Sequence, residues 1–356
     1  MTLSRRALLY LFWLCPLPLW AQDEPVYLDV SISSFTPAPA VAEGITEGTV
    51  TNAPRAISVE IRNAEARYLA LYLRYRLEAA ARYGAVRVVP ELDAGADLAI
   101  SGTVLQSDGA TLSLHLSARD SSGALWLDQD FSGKATPSSS LNADPLLDDD
   151  FAALFSEILR ALDAQLAARS PAQLDALKQQ ALLRYGESLL PDYFANFFAL
   201  DVNGNRTLIR LPAANDPLLQ RISAIREREY LFIDVVDEQY RRFFEDLRPV
   251  YRTWRSLRRE QLDGAARVTE RESSGGAQFR RGSYFALQES YDNYRWAKLD
   301  ELYLDELSTG FTNETEPTQI ELDDSLFRLS GNMAQQQREW RGILAELLAL
   351  ELQGNP

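Results

Sequence analysis

Apolar residues recur at steps of three and four from Asp216 to Gln261. Leu218, Ile222, Ile225, Phe232, Val236, Tyr240, Phe243, Leu247, Tyr251, Trp254 and Leu257 make one stripe, which predicts a single helix of about 45 residues. At 1.5 Å per residue it spans roughly 65 to 70 Å, more than one compact core can bury, so other elements must pack along it. Asp216 and Pro217 supply an acidic cap and a proline at the first helical position. Pro249 removes a backbone donor inside the run and predicts a kink near Asp246 to Arg248.

Upstream the period changes to two. Val26, Leu28, Val30 and Ile32 alternate with Tyr27, Asp29, Ser31 and Ser33, predicting a strand over Val26 to Phe35 with one buried face. A Pro, Ala, Gly and Thr-rich loop, Thr36 to Pro54, precedes a helix from Asn63 to Tyr83 with Ala66, Leu69, Leu73 and Leu77 on one face and Gly84 at its end. Strands follow at Ala85 to Val89, Asp97 to Gln106, Ala110 to Arg119 and Ala124 to Gly133, the last three separated by Asp-Gly and Ser-Gly turns. Asp148 to Arg169 reads as a closing helix. The order predicts an α+β class: a small mixed-sheet α/β domain over residues 24 to 169.

Residues 170 to 356 read as an elongated, mainly helical domain, an antiparallel bundle or coiled-coil-like arrangement. Ser170 and Pro171 open a helix to about Gly186, and Pro191 to Phe198 is a short helical or extended piece. Around Asn203 and Gly204, residues 197 to 211 carry a hairpin signal whose apolar arms are expected to pack on the helices. After the long helix, Ser273 to Gly276 predicts a break and Ser283 to Leu307 another helix. Thr309 to Thr318 reads as a loop, and Asp323 to Leu352 as the last helix, through Leu326, Leu329, Met333, Trp340, Leu344 and Leu347.

Composition narrows the setting. The 356 residues carry a net charge of -15, which makes a general affinity for nucleic acid or an anionic surface a poor expectation. Arg5 and Arg6, the apolar run Ala7 to Leu14, and Ala21 before Gln22 have the layout of an export signal cleaved after Ala21. Ser4 to Leu9 half-resembles a twin-arginine signal, so either export route stays open. The apolar run is too short for a mature span, roughly 20 residues being needed. Cleavage would remove Cys15, the single cysteine, and leave a periplasmic chain without a disulfide.

A resemblance then enters. The phrase Ala96-Asp97-Leu98-Ala99-Ile100-Ser101-Gly102-Thr103-Val104, then Leu112 to Leu116 and Asp120-Ser121-Ser122-Gly123, resembles the N-terminal α/β domain of TolB and related domains of curli-secretion envelope proteins. It implies an envelope protein whose domain makes protein contacts, and it brings no catalytic residues with it. The chain departs from those relatives in having no lipobox, and nothing after Arg169 reads as a propeller.

Candidate chemistry is sparse. His115, the only histidine, sits between Leu114 and Leu116, on the strand face expected to meet solvent, and no nucleophile-elbow motif accompanies it. Asp201 to Asn205 superficially matches a calcium loop, but Arg206 stands where glycine is needed, so a hairpin turn is expected. Asp148, Asp149 and Asp150 read as helix-capping acids. No cofactor, metal or catalytic set is predicted. The constellation that stands out is basic and aromatic: Arg241, Arg248, Arg252, Trp254, Arg255 and Arg258 form a candidate partner-binding face. The competing expectation is pairing within the chain against Glu289, Asp292, Asp300, Glu301, Asp305 and Glu306. The sequence therefore favours a non-enzymatic periplasmic adaptor or scaffold contacting envelope proteins. A peptidoglycan-binding module or carboxylate-dependent hydrolase is the alternative, and a secretion-channel accessory a further one.

Overall fold

The computed structural model describes residues 25–39, 59–92, 95–136, 148–202, 206–213, 216–273, 291, 295, 298, 317–322 and 325–353. The expected export signal, the expected turn at Asn203 and Gly204, the expected Ser273 to Gly276 break beyond its first residue and most of the expected Ser283 to Leu307 helix lie outside them; positions 291, 295 and 298 are helical. The fold is α+β, a mixed sheet with helices and one very long helix.

Strands β1 (Val30–Ser33), β2 (Thr36–Pro37), β3 (Val86–Val89), β4 (Leu98–Ser107), β5 (Thr111–Asp120) and β6 (Leu125–Lys134) make a six-stranded sheet of order β3-β1-β4-β5-β6, with β2 beside β4. The first strand is shorter than its alternation predicts. β1 runs parallel to β3 and to β4, while β4, β5 and β6 form the antiparallel meander. A parallel pair needs a crossover, and α1 (Val59–Ala80) supplies it between β1 and β3. Gly102 lets Phe35 lie against the sheet, since a Cβ there would stand 2.7 Å from the Phe35 ring and 2.8 Å from Leu116.

The periodicity of α1 predicts one apolar face, yet Tyr68 and Tyr72 are buried along with Leu69, Leu73 and Leu77. The reason is a second layer: α2 (Ala152–Ala167) and α5 (Pro217–Ser273) also pack on α1. Tyr72 meets Phe155 edge-on at 4.6 Å, and Tyr68 stacks on Phe244 at 4.7 Å.

Helix α3 (Pro171–Leu189) starts where Ser170 and Pro171 place it, with a capping box in which Ser170 and Gln173 exchange side-chain and backbone hydrogen bonds. After α4 (Pro191–Phe194), the hairpin forms as β7 (Phe198–Leu200) and β8 (Arg206–Leu208). Its base residues Phe197 and Phe198 are buried, but Leu200, Ile209 and Leu211 are exposed, so the arms do not pack as expected.

Helix α5 is 57 residues long, about 85 Å at the helical rise. It continues through Pro249, whose carbonyl accepts from the Thr253 hydroxyl at 3.0 Å. It packs on β3, α1, α3 and the C-terminal helix, and a single apolar cluster runs from Leu28 in β1's approach to Leu348 near the C-terminus.

The last expected helix is corrected at its start. Residues before Met333 form an antiparallel hairpin, β9 (Thr318–Leu322) and β10 (Ser325–Leu329), and α6 is Met333–Gln353. Thr318, Ile320 and Leu322 are buried in alternation, a period of two that overrides the helical spacing of Leu326 and Leu329. Gly331 at φ +98° turns the chain. Asn332 and Gln335 then cap α6 reciprocally at 2.9 Å each. That Asn-x-x-Gln signature was readable in the sequence.

Candidate functional site

The basic and aromatic run lies on α5 where it crosses α1 and the start of α2. At the start of α2, Asp149 accepts from the Phe151 backbone N–H at 2.9 Å, while the N-cap residue Phe151 makes no side-chain cap bond. The three aspartates also form a counter-row to the arginines. Arg252 reaches Asp148 at 3.1 Å, Arg255 reaches Asp149 at 2.6 Å, and Arg259 reaches Asp150 at 2.9 Å. Three consecutive acids serve arginines spaced three and four apart, as one helix face requires.

Arg255 is the centre of this junction. Its guanidinium lies 4.0 Å from the Tyr251 ring centre, 5.1 Å from Phe151 and 5.9 Å from Tyr68. Burial acts to lower its pKa, but the Tyr251 oxygen and the Asp149 carboxylate outweigh it and hold Arg255 well above the ordinary arginine value. Next to it, buried Glu65 of α1 accepts short hydrogen bonds from the Ser107 and Tyr251 hydroxyls. Burial raises the Glu65 pKa, against the lowering effect of those two bonds and of Arg255 and Arg62.

Of the six sequence-derived candidates, Trp254, Arg255 and Arg258 are buried in this chain, and Arg241, Arg248 and Arg252 are half-buried. Arg241 pairs along its own helix with Glu238 at 2.6 Å and Glu245 at 2.7 Å. Arg242, outside the six, has the most exposed side chain of the run, at 71%. The exposed part of the run therefore lies at its start, at Arg242, ahead of the buried pairs. The pairing expected with the helix at 283 to 307 falls largely outside the described residues; within them, Arg295 approaches Glu260 at 4.0 Å.

Two further polar clusters stand apart. Asp97, the aspartate of the sheet phrase, is buried, accepts from the Asp29 backbone N–H at 3.0 Å and lies 3.5 Å from Arg226. Burial raises its pKa, and the Asp29 N–H and Arg226 pull it down. Arg226 and Arg87 both lie over the Tyr230 ring, at 5.5 and 4.3 Å, in a cleft with Ser31, Glu91 and Tyr185. The cleft measures about 20 Å³, room for a water molecule and not for a substrate.

His115 lies on the polar face of β5, between Asp130 at 2.8 Å from Nδ1 and Asp128 at 3.2 Å from Nε2. The sequence placed it on that face; the two aspartates across β6 were not foreseen, although a strand register would have exposed them. Among the described residues, no group of three or more His, Cys, Asp or Glu side chains is arranged to hold a metal ion.

No family model matches the chain, and no curated protein matches it. Among solved structures it matches protein XCC0632 from Xanthomonas campestris, described by the family model DUF330. That match has 16% identity and a TM-score of 0.22 over 45% of this chain and 93% of that one. No helix among the described residues is long and apolar enough to cross a membrane.

Proposed function

We propose that the protein is an exported, non-enzymatic adaptor or scaffold of a bacterial cell envelope, acting by protein contacts. The observation that carries this reading is α5. Buried and half-buried Asp–Arg pairs fix its register on the sheet domain through Arg259, and the helix then continues to Ser273, about 20 Å further. A long helix fixed along most of its length holds two points at a set separation, which suits a scaffold. The export layout of residues 1 to 21 and the resemblance of residues 96 to 123 to the TolB N-terminal domain supply the envelope setting.

The test is in-cell crosslinking of the tagged chain followed by mass spectrometry. Wild type would be compared with Arg241→Glu/Arg242→Glu, which spares the buried pairs. A partner captured by wild type and lost in the charge-reversed, still folded variant is the expected result. Turnover of isolated cell wall by the purified protein, abolished by replacing one carboxylate, would replace this reading with the peptidoglycan hydrolase.

A further inference from the structure

The two edges of the six-stranded sheet are finished differently. β3 is four residues long, and α5 covers it: the Val88 backbone N–H donates to Asp237 at 3.4 Å, and Arg87 reaches Asp234 at 3.0 Å. β6 is ten residues long, and among the described residues no strand pairs with its outer side. Its register with β5 is unbroken from Leu127 to Lys134. A long, regular edge presents a row of backbone N–H and C=O groups to which another strand can add. Asp128, Gln129, Asp130, Ser132 and Lys134 are all exposed along it. Gln129 stands opposite buried Leu116, on the face that the helices cover, and is exposed all the same, so that face too is open to solvent at the edge.

The charges along this edge select its occupant. Charged side chains usually protect an edge strand from added strands. Here both signs are present, Asp128 and Asp130 before Lys134. A second copy added antiparallel about a two-fold axis normal to the sheet keeps the helix-covered faces on one side and sets each residue against one of like face. With the axis at Phe131, Asp128 of each copy faces Lys134 of the other, and Asp130 faces Ser132, whose hydroxyl can donate to it. Gln129 faces Gly133, which leaves room for its side chain. An axis at Asp130 would set that carboxylate against its own copy, and an axis at Gln129 would set Asp128 against Asp130. An axis at Ser132 keeps an Asp–Lys pair, Asp130 with Lys134, but shortens the ladder. Opposite charges directly across a strand pair stabilise it and like charges oppose it, so charge complementarity favours the register centred on Phe131.

We propose that the protein forms a symmetric dimer through β6, with one sheet continuous across a two-fold axis at Phe131 and an Asp128–Lys134 pair on each side of it. The inference is independent of the adaptor reading. A scaffold paired in this way presents two copies of α5.

The test is sedimentation equilibrium on the purified full chain carrying Cys15→Ser. The expected result is a reversible monomer–dimer equilibrium. Asp128→Lys and, separately, Lys134→Asp should each weaken the dimer about tenfold, since either change turns both Asp–Lys pairs into like-charge pairs. Asp128→Lys/Lys134→Asp should recover the wild-type affinity, because the pairs re-form with their signs exchanged. Both positions are exposed, and circular dichroism melting verifies that each variant keeps its fold. In the same background, Asp130→Cys mixed with Ser132→Cys should form an intermolecular disulfide faster than either variant alone.

A chain that stays monomeric at every concentration overturns the proposal and leaves the edge to a strand of another protein. A dimer indifferent to both single reversals overturns it by placing the interface elsewhere. So does a dimer weakened by the single changes and not recovered by the double one, or a mixed cysteine pair that crosslinks no faster than its components.

Discussion

Arg255 holds both carboxylate oxygens of Asp149, at 2.9 and 2.6 Å, with each side chain only 1% exposed. This two-point contact spans 106 residues of sequence and fastens α5 to the start of α2. A buried pair of this kind adds little net stability over apolar residues of the same size, but losing one partner strands a charge. Asp149→Ala is expected to destabilise the protein by about 3–5 kcal/mol, and Asp149→Leu with Arg255→Met to recover most of that. Urea unfolding of wild type and the two variants checks it. A single-variant cost below about 1 kcal/mol would mean that Arg255 finds water or another acceptor.

Glu65 predicts an unusual pH dependence. Its folded pKa is raised by burial, so the folded state holds the proton more tightly than the unfolded one. Stability from this group is therefore greatest at low pH and declines as pH rises from the ordinary value of 4.5 through the raised one. Both donors bond the same oxygen, Oε1, which an amide retains. Glu65→Gln should flatten the decline that sets in above pH 4.5 and melt at or above wild type once Glu65 has ionised. Thermal melts across that range decide, and an unchanged slope would locate the pH dependence elsewhere.

His115 acts in the same direction by another cause. The Asp130 hydrogen bond is the largest influence raising its pKa, with Asp128 adding to it and slight desolvation opposing. Stabilisation by the charged ring is complete below the ordinary value of 6.5 and is lost as pH rises through the higher folded value. The effect on stability is small, because the ring and both aspartates are well exposed. NMR titration of the ring should give a midpoint above 6.5 in wild type and a lower one in Asp130→Asn.

Gly186 separates helix propensity from packing. Alanine favours a helix over glycine by about 1 kcal/mol. At this position of α3, however, a Cβ would stand 2.8 Å from the Phe194 ring and 2.9 Å from Ile222. Gly186→Ala is expected to lose about 1–3 kcal/mol through overpacking. Gly264, with nothing within 4 Å, is the control at which alanine should stabilise. Chemical denaturation of both variants gives the comparison.

What one stretch of chain could decide alone was legible in the sequence. The three-and-four stripe from Leu218 to Trp254 defines α5, Ser170 and Pro171 start α3, and alternation with Asp-Gly and Ser-Gly turns gives the β4-β5-β6 meander. Each of these signals is complete within one element and its caps, where backbone geometry dictates the period. At the β9–β10 hairpin the sequence is ambiguous, because residues 318 to 329 offer apolar positions to both periods. Pairing Thr318 with Leu329 settles the choice, and spacing along the chain does not report that pairing. The burial of Tyr68 and Tyr72, the Asp148 to Asp150 row opposite Arg252, Arg255 and Arg259, and the withdrawal of Trp254 and Arg255 from solvent all depend on α5 crossing α1. Those outcomes belong to the tertiary structure. A charge or an aromatic ring carries the same sequence signal whether it faces a partner or the protein's own interior, and only packing between distant segments fixes which.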